Sequence, residues 1–206
     1  MYKRIARTIT SAFVNNGTIS EDKSNIYAYG FEVLISTIAY TTILIGIAAI
    51  TKTLLESFLF WLGFFIVRTI AGGYHAETYI TCHILFLCSH LSFIAFLKLV
   101  PSVSHEFFII AFAGISSIVL FLIAPVDHPN KRFTINEYKR YKKCSFTYAI
   151  LFVTITTVML VYRVIDLSLL LSFVIGTLIA TLSVISAKIV NKKEGRINHE
   201  ENPNDC

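Results

Sequence analysis

The sequence LLESFLFWLGFFIVRTIAGGYHAETYITCHILFLCSHLSFIAFLKLV, residues Leu54 to Val100, contains two long apolar runs joined by a short polar interruption. Each run is close to the length of a helix that crosses a bilayer, about 20 residues at 1.5 Å per residue. The interruption includes Gly72 and Gly73, and glycine readily adopts the backbone angles of a tight turn. The stretch therefore predicts a helical membrane hairpin that bends at the glycine pair.

The composition of the whole chain also indicates a membrane protein. Of its 206 residues, 55% are hydrophobic and only 15% are charged, whereas a soluble domain averages about 25% charged residues. The mean hydropathy is +0.67. We therefore expect one integral membrane domain over residues 1–190. A cleaved signal peptide is not expected, because the polar sequence NNGTISEDKSN separates the basic start from the first apolar run.

Six apolar segments are long enough, or nearly so, to cross a bilayer. They cover approximately residues 28–50, 54–70, 78–100, 107–124, 146–164 and 167–190. Lipid offers no hydrogen bonds to the backbone, so each segment must pair its own N–H and C=O groups, as a helix does. The alternating pattern of a membrane β-barrel is missing from runs such as LSLLLSFVIGTLIATLSVI. The sequence therefore predicts an all-α bundle of six transmembrane helices.

The distribution of Lys and Arg predicts the orientation of this bundle. With six spans, fifteen of the 18 basic residues fall on or near the side that holds both termini and the second and fourth loops. Basic residues in short loops favour the cytoplasmic side of a membrane. We therefore expect both termini, and the loop that contains His75, to face the cytoplasm.

The two ends of the chain are expected to carry shorter elements. Residues 2–13 place their apolar side chains on one helical face and Lys3, Arg4 and Arg7 off it, which is typical of a basic amphipathic helix at a membrane surface. We expect residues 1–25 to form such a cytoplasmic segment, the alternative being a frayed basic terminus. The polar tail over residues 191–206 is expected to be disordered.

The interruption in the hairpin carries side chains that can do chemistry. Arg68, His75, Glu77 and Cys82 lie within fifteen residues, and an ionisable residue at membrane depth is a functional hypothesis by default. If the glycine pair turns the chain, the His75 ring can fold back towards the Cys82 thiol. The ordinary alternatives are an Arg68 that anchors its helix at the cytoplasmic surface and a Glu77 in the first turn of the next helix.

Such an arrangement suits a cysteine nucleophile. The thiolate is the reactive form, and a neighbouring imidazolium and the positive end of a helix both lower the pKa of a thiol. The imidazole can then protonate the departing amine. Backbone N–H groups of the glycine turn are suited to stabilising an oxyanion, and Arg68 to binding a substrate carboxylate or holding the turn. The spacing makes a His75–Cys82 dyad one hypothesis, beside an accidental coincidence of the two side chains.

The segment RTIAGGYHAETYITC, residues 68–82, resembles the signature of the accessory gene regulator B (AgrB) family of membrane peptidases from Gram-positive bacteria. In that signature an Arg, a Gly pair, a His and a Cys seven residues later occur in this order. A second segment, APVDHPNKRFT at residues 124–134, resembles the family's basic loop after the fourth span, although Arg132 departs mildly from its lysines. The length, the six spans and the basic start are similar too, so the resemblance covers nearly the whole chain.

The resemblance implies a specific reaction. Members of this family act in the cell membrane as homodimers and cut a short AgrD-like propeptide of a quorum-sensing signal. The resemblance implies Cys82 as the nucleophile and His75 as the base, with Arg68 and Gly73 at other functional positions. A Cys or Ser of the propeptide would then attack the acyl thioester on Cys82 and displace the Cys82 thiolate, closing a thiolactone or lactone ring.

The basic segment between the fourth and fifth spans is a second candidate binding element. Residues 127–145, DHPNKRFTINEYKRYKKCS, are interpreted either as a solvated loop attracted to anionic lipid or as a binding site for an acidic substrate tail. In the second interpretation Lys131 and Arg132 bind the tail. We count these two residues, with Gly72 and Glu77, among those expected to bind substrate or shape the site.

No metal, other cofactor or nucleic acid is expected. His83 and His90 lie seven residues apart on the third span without a recognisable ligand pattern, and no cysteine pair has zinc-finger spacing. Cys88 is expected to be a small buried apolar residue. Two alternatives to a peptidase remain open, namely a non-enzymatic membrane transporter or exporter of a small peptide, and a metal or haem protein that uses the two histidines.

Overall fold

The computed structural model of the chain describes residues 2–72, 79–126 and 133–201. Over these residues the chain forms seven α-helices and no β-strand. They are α1 (Tyr2–Asn15), α2 (Ser24–Ile50), α3 (Leu54–Ala71), α4 (Tyr79–Leu99), α5 (His105–Ile123), α6 (Ile135–Tyr162) and α7 (Leu167–Glu201). Six of these, α2 to α7, are long and apolar enough to cross a membrane. The prediction of an all-α bundle with six transmembrane helices is confirmed.

Helix α7 lies at the centre of the bundle. In the most apolar 18-residue stretch of α7, 56% of the residues are buried, against 17–33% in the corresponding stretches of the other five spans. It crosses α3 at Gly63 and Gly176, where a Cβ on Gly176 would lie 2.0 Å from the Phe60 carbonyl oxygen. Glycine lets two helix backbones approach closely in a membrane, so these two glycines fix α3 against α7.

Two apolar clusters fill the bundle. The larger one surrounds Phe60, Phe93, Ile109 and Leu171, and it joins α3, α4, α5, α6 and α7. The smaller one lies towards the end of α3 and is rich in alanine; it contains Val67, Ala71, Leu120, Ala124, Ala149, Ala180 and Val184. Small side chains allow close helix packing, so the end of α3 is held firmly by α5, α6 and α7.

The predicted amphipathic helix at the start of the chain is present over Tyr2–Asn15. Helix α1 packs on α2, where the Phe13 and Phe31 rings stack with their centroids 5.8 Å apart. Ala6 and Thr10 are buried, whereas Ile5 and Phe13 are each 41% exposed. Thr10 can be buried because its hydroxyl donates to the Ala6 carbonyl at 2.9 Å. The exposed apolar side chains of α1 remain free to contact lipid.

The basic segment before the fifth span is helical over most of its length, so its interpretation as a loop is wrong from residue 135 onwards. Helix α6 begins at Ile135, eleven residues earlier than predicted, and Cys144 lies within it. The cause is a capping box: the Glu137 backbone N–H donates to the Thr134 side chain, and the Thr134 N–H donates to the Glu137 carboxylate. At the other end of the chain, α7 continues to Glu201, past the predicted limit at residue 190. Residues 202–206 of the tail lie outside the described part.

Candidate active site

Helix α3 ends in a turn that requires glycine. Its last residue is Ala71, and Gly72 follows with φ +76° and ψ −146°, a backbone conformation that only glycine adopts readily. A Cβ at this position would also lie 2.4 Å from the Val126 carbonyl oxygen. The predicted end of the helix at the glycine pair is confirmed, since α3 stops at Ala71 and Gly72 is not helical. Gly73, His75 and Glu77 lie outside the described residues, and so does any approach of the His75 ring to Cys82.

The turn is held by the chain segment that follows α5. The Val126 N–H donates to the Ala71 carbonyl at 3.0 Å, and Gly72 and Val126 form an isolated parallel bridge. One residue earlier, the buried Ser145 hydroxyl of α6 donates to the Ile70 carbonyl at 3.2 Å. Both contacts end at backbone atoms next to the glycine turn, so α5 and α6 determine where α3 stops.

Lys142 connects α6 to the same segment. Its ammonium group donates to the Phe121 carbonyl at 2.9 Å and to the Ala124 carbonyl at 2.8 Å. These carbonyls belong to the C-terminal end of α5, where helix carbonyls lack internal partners and where a positive charge is favourable. From the sequence, Lys142 is predicted only as one of the basic residues on the cytoplasmic side. The sequence feature that could have placed it is the Thr134-x-x-Glu137 capping box, which fixes the register of α6.

Helices α2, α3, α4 and α7 line a partly open cavity of about 510 Å³. The residues that line it are Thr37, Tyr40, Thr41, Leu44, Trp61, Phe64, Phe65, Arg68, Cys82, His83, Leu85, Phe86, Ser89, Ile179, Leu182, Ser183 and Ser186. Two of the predicted site residues, Arg68 of α3 and Cys82 of α4, therefore line the same cavity. Sequence reasoning did not predict that α2 and α7 contribute to this site.

The cavity has a shallow end and a deep end. On each of the four helices the lining residues extend over seven positions, which is a rise of about 10.5 Å in a helix. Successive spans run in opposite directions, so Arg68 and Cys82 lie at the end of the cavity nearest the glycine turn. Trp61 and Ser89, one helical heptad further along the same helices, lie at its deep end.

Arg68 is attached to the central helix. Its Nη1 donates to the Ser183 hydroxyl of α7 at 3.1 Å, and its guanidinium carbon lies 5.9 Å from the centroid of the Phe64 ring. Arg68 is half-buried, so it is more than a surface anchor for α3. These contacts place a positive group at the shallow end of the cavity.

Cys82 differs from the other described cysteines in its surroundings. It lies near the start of α4 and is half-buried, whereas Cys88 and Cys144 are exposed. The expectation that Cys88 is buried is wrong, because it lies on an outward-facing side of α4, where an apolar side chain contacts lipid at little cost.

Two buried donors in the cavity wall have no hydrogen-bond partner among the described residues. They are the Tyr40 hydroxyl and the Trp61 indole N–H. The Tyr40 ring stacks on His83, with centroids 4.5 Å apart and planes 7° apart, so its position is fixed by packing. Most buried polar groups in proteins are paired, and the exceptions at this cavity are therefore informative.

The two histidines of α4 have different environments and do not converge. The buried His90 shares a 2.9 Å hydrogen bond between its Nε2 and the Ser57 hydroxyl, whereas His83 faces the cavity. No group of three or more His, Cys, Asp or Glu side chains suited to a metal ion occurs within residues 2–72, 79–126 and 133–201. Lys131 and Arg132 lie outside these residues. On the described part of the basic segment, Lys139, Arg140 and Lys143 are exposed.

Comparison with known proteins agrees with the sequence resemblance. The family model described as AgrB, accessory gene regulator B, matches residues 6–187. Searches of curated proteins and of solved structures gave no significant match.

Proposed function

The chain belongs to the accessory gene regulator B family, and on that premise we propose that it is a membrane-embedded cysteine peptidase that also cyclises its product. Membership of the family implies a role in processing an AgrD-type quorum-sensing propeptide, and the six apolar helices fit a multi-pass membrane protein. The peptidase chemistry, the roles of single residues and a homodimeric state are our proposals. No cofactor takes part in the proposed reaction.

One observation carries the proposal: Cys82 lines a ligand-sized cavity together with Arg68, beside a turn that requires glycine. Pockets of roughly 300–1,000 Å³ are typical of ligand sites. A thiol in the wall of such a cavity can meet a bound peptide, whereas the exposed thiols of Cys88 and Cys144 face outwards.

In the proposed reaction His75 takes the proton of the Cys82 thiol, and the thiolate attacks the carbonyl carbon of the scissile amide. The C–N bond breaks, a C–S thioester forms on Cys82, and the proton on His75 passes to the departing amine. Backbone N–H groups at Gly72 and Gly73 stabilise the oxyanion. Arg68 holds the turn against α7 or binds a substrate carboxylate.

Ring closure completes the reaction without water. A Cys or Ser side chain of the N-terminal fragment attacks the thioester carbon, its proton passes through His75 to the Cys82 sulfur, and the ring is released as a thiolactone or lactone. A cavity that excludes bulk water protects the thioester from hydrolysis. Holding both reacting groups on one bound chain favours attack by the internal nucleophile.

The basic residues of α6 and of the segment before it provide a means of attracting the substrate. We assign to Lys131 and Arg132, with Lys139 and Arg140, the electrostatic attraction of an acidic propeptide tail towards the site. The active site then faces the cytoplasm, where the propeptide is made. Glu77 completes the set of residues that shape the site.

Substitution of the dyad tests the proposal. In proteoliposomes that contain the protein and its AgrD-type propeptide, Cys82→Ala and His75→Ala should reduce cleavage at least a thousandfold, measured by mass spectrometry of the released C-terminal fragment. Cys88→Ala is the matched control on the same helix and should cleave normally.

Wild-type protein should also carry a trapped acyl adduct on Cys82 when the ring-closing residue of the propeptide is changed to Ala. Cleavage by Cys82→Ala at the wild-type rate would reject the proposal. Transport of the propeptide across the vesicle membrane by the Cys82→Ala protein would instead favour the transporter.

A further inference from the structure

The cavity between α2, α3, α4 and α7 is partly open, because Phe65, Leu85 and Leu182 in its wall are about half exposed. Its volume of about 510 Å³ is the size of a ligand site. Much of its wall is made of apolar side chains, including Leu44, Phe65, Phe86, Ile179 and Leu182. Its occupant must therefore be largely apolar.

The unpaired donors in the wall restrict the occupant further. The Tyr40 hydroxyl and the Trp61 indole N–H are buried without an acceptor among the described residues, an unfavourable state that a bound acceptor would relieve. The hydrocarbon tail of a lipid has no hydrogen-bond acceptor along its length. A peptide with apolar side chains has a carbonyl at every residue.

The position of Cys82 sets the direction in which such a peptide would lie. Cys82 is at the shallow end of the cavity and Trp61 is at the deep end, about 10.5 Å away along the helix axes. An extended peptide spans at most about 3.3–3.6 Å per residue. The cavity therefore has the depth of roughly three residues that continue from a carbonyl joined to the Cys82 sulfur.

We propose, resting on the proposed function, that this cavity binds the short apolar stretch of the propeptide that becomes acylated on Cys82. The Tyr40 hydroxyl and the Trp61 indole N–H donate hydrogen bonds to backbone carbonyls of that stretch. Tyr40 and Trp61 are then specificity-determining residues of the acyl pocket, and His83 keeps the Tyr40 ring in place by stacking on it.

Binding can be measured apart from catalysis because Trp61 is the only tryptophan of the chain. The Cys82→Ala protein, in phosphatidylcholine vesicles, is titrated with an acetylated tripeptide amide of two leucines and 4-nitrophenylalanine, whose nitrophenyl ring quenches tryptophan fluorescence. In the Cys82→Ala protein, the further substitution Ser89→Phe fills the deep end of the cavity. It should weaken binding of the tripeptide, measured by this quenching, at least tenfold. Ser92→Phe is the matched control, since Ser92 is exposed on the same helix outside the cavity.

Removal of one donor provides a milder test that does not change the cavity volume. Tyr40→Phe should weaken binding about two- to tenfold, the effect of losing one hydrogen bond. Tyr29→Phe, which changes a tyrosine that is 63% exposed on the same helix, should have no effect. Equal quenching in the Ser89→Phe and Ser92→Phe proteins would overturn the proposal. So would quenching by brominated lipid tails that the tripeptide fails to displace, because lipid would then occupy the cavity.

A second measurement separates failure of the pocket from failure of the proposed function. Proteins with Cys82 intact receive benzyl thioesters of trileucine or triaspartate, so that the Cys82 thiolate can displace benzyl thiolate. The Ser92→Phe protein should be acylated at least tenfold faster by the apolar thioester, and Ser89→Phe should abolish this preference. An unchanged preference in Ser89→Phe would reject the pocket alone. Absence of acylation by every thioester, with tripeptide binding intact, would reject the proposed function alone.

Discussion

At the scale of single residues, Gly72 is the position where backbone geometry limits the chemistry most directly. Both its backbone angles and the 2.4 Å distance from a hypothetical Cβ to the Val126 carbonyl oxygen exclude a side chain. Any substitution must move the end of α3 or the segment at Val126, and so displace the backbone that leads to His75.

We therefore expect Gly72→Ala to impair cleavage strongly. The strained backbone conformation alone costs about 1–3 kcal/mol for a non-glycine residue, so we expect at least a tenfold loss of propeptide cleavage in proteoliposomes. Gly46→Ala is the control, because a Cβ at Gly46 meets no atom within 4 Å. A Gly72→Ala protein that cleaves as fast as Gly46→Ala would show that the turn does not position the site.

How much of the site the sequence reveals depends on the kind of residue. Gly72, Arg68 and Cys82 could be chosen as candidates because each is unusual in an apolar run. Tyr40 and Trp61 could not be identified, because aromatic residues are common in membrane helices. Their contribution depends on the rotation of α2 and α3 about their own axes, which the sequence of one helix does not determine.

At the scale of elements, the start of α6 contacts the end of α5 and so supports the segment that pairs with the end of α3. Lys142 binds two carbonyls at the end of α5, and the segment that follows α5 pairs with Ala71 and Gly72. We therefore expect Lys142 to position the site through the segment that ends at Val126. The predicted start of α6 is eleven residues too late, because hydropathy detects the apolar part of a helix and not a basic extension beyond it.

Lys142→Met should lower cleavage while the rest of the bundle stays folded. Methionine keeps most of the apolar stem but removes the charged donor, and a hydrogen bond that involves a charge contributes roughly 1.5–3 kcal/mol, less where water screens it. We expect a loss of about tenfold in propeptide cleavage at an unchanged far-ultraviolet helix signal. Lys142→Arg should restore most of the activity.

The neighbouring Lys143 provides the matched control, since it is exposed on the same helix. If removal of any positive charge from α6 weakened substrate attraction, Lys142→Met and Lys143→Met would raise the KM equally and leave kcat unchanged. A selective fall in kcat for Lys142→Met identifies a positioning role. Equal effects on KM would contradict it.

At the scale of the whole molecule, the number of spans could be predicted but their arrangement could not. Lipid tails and a protein core are equally apolar, so the sequence of α7 does not show that it is the central helix. The close approach at Gly63 and Gly176 depends on two glycines that lie more than a hundred residues apart. The cavity arises from this arrangement, because α7 forms one wall of it and α2 another.

The orientation of the bundle is a prediction that follows from charge and determines where the substrate must enter. With Ala71 and Gly72 on the cytoplasmic side, the end of the cavity that holds Arg68 and Cys82 is the one nearest the compartment in which the propeptide is made. Single cysteines can test this in a protein whose four native cysteines are replaced by alanine. Ser20→Cys, before α2, should react with a membrane-impermeant maleimide only after the cells are permeabilised. Lys52→Cys, between α2 and α3, should react in intact cells, because one span separates the two positions. The reverse pattern would place the site outside the cell, and the basic residues of α6 and the segment before it could not then attract a cytoplasmic propeptide. Labelling of both positions in intact cells would contradict the presence of a span between them.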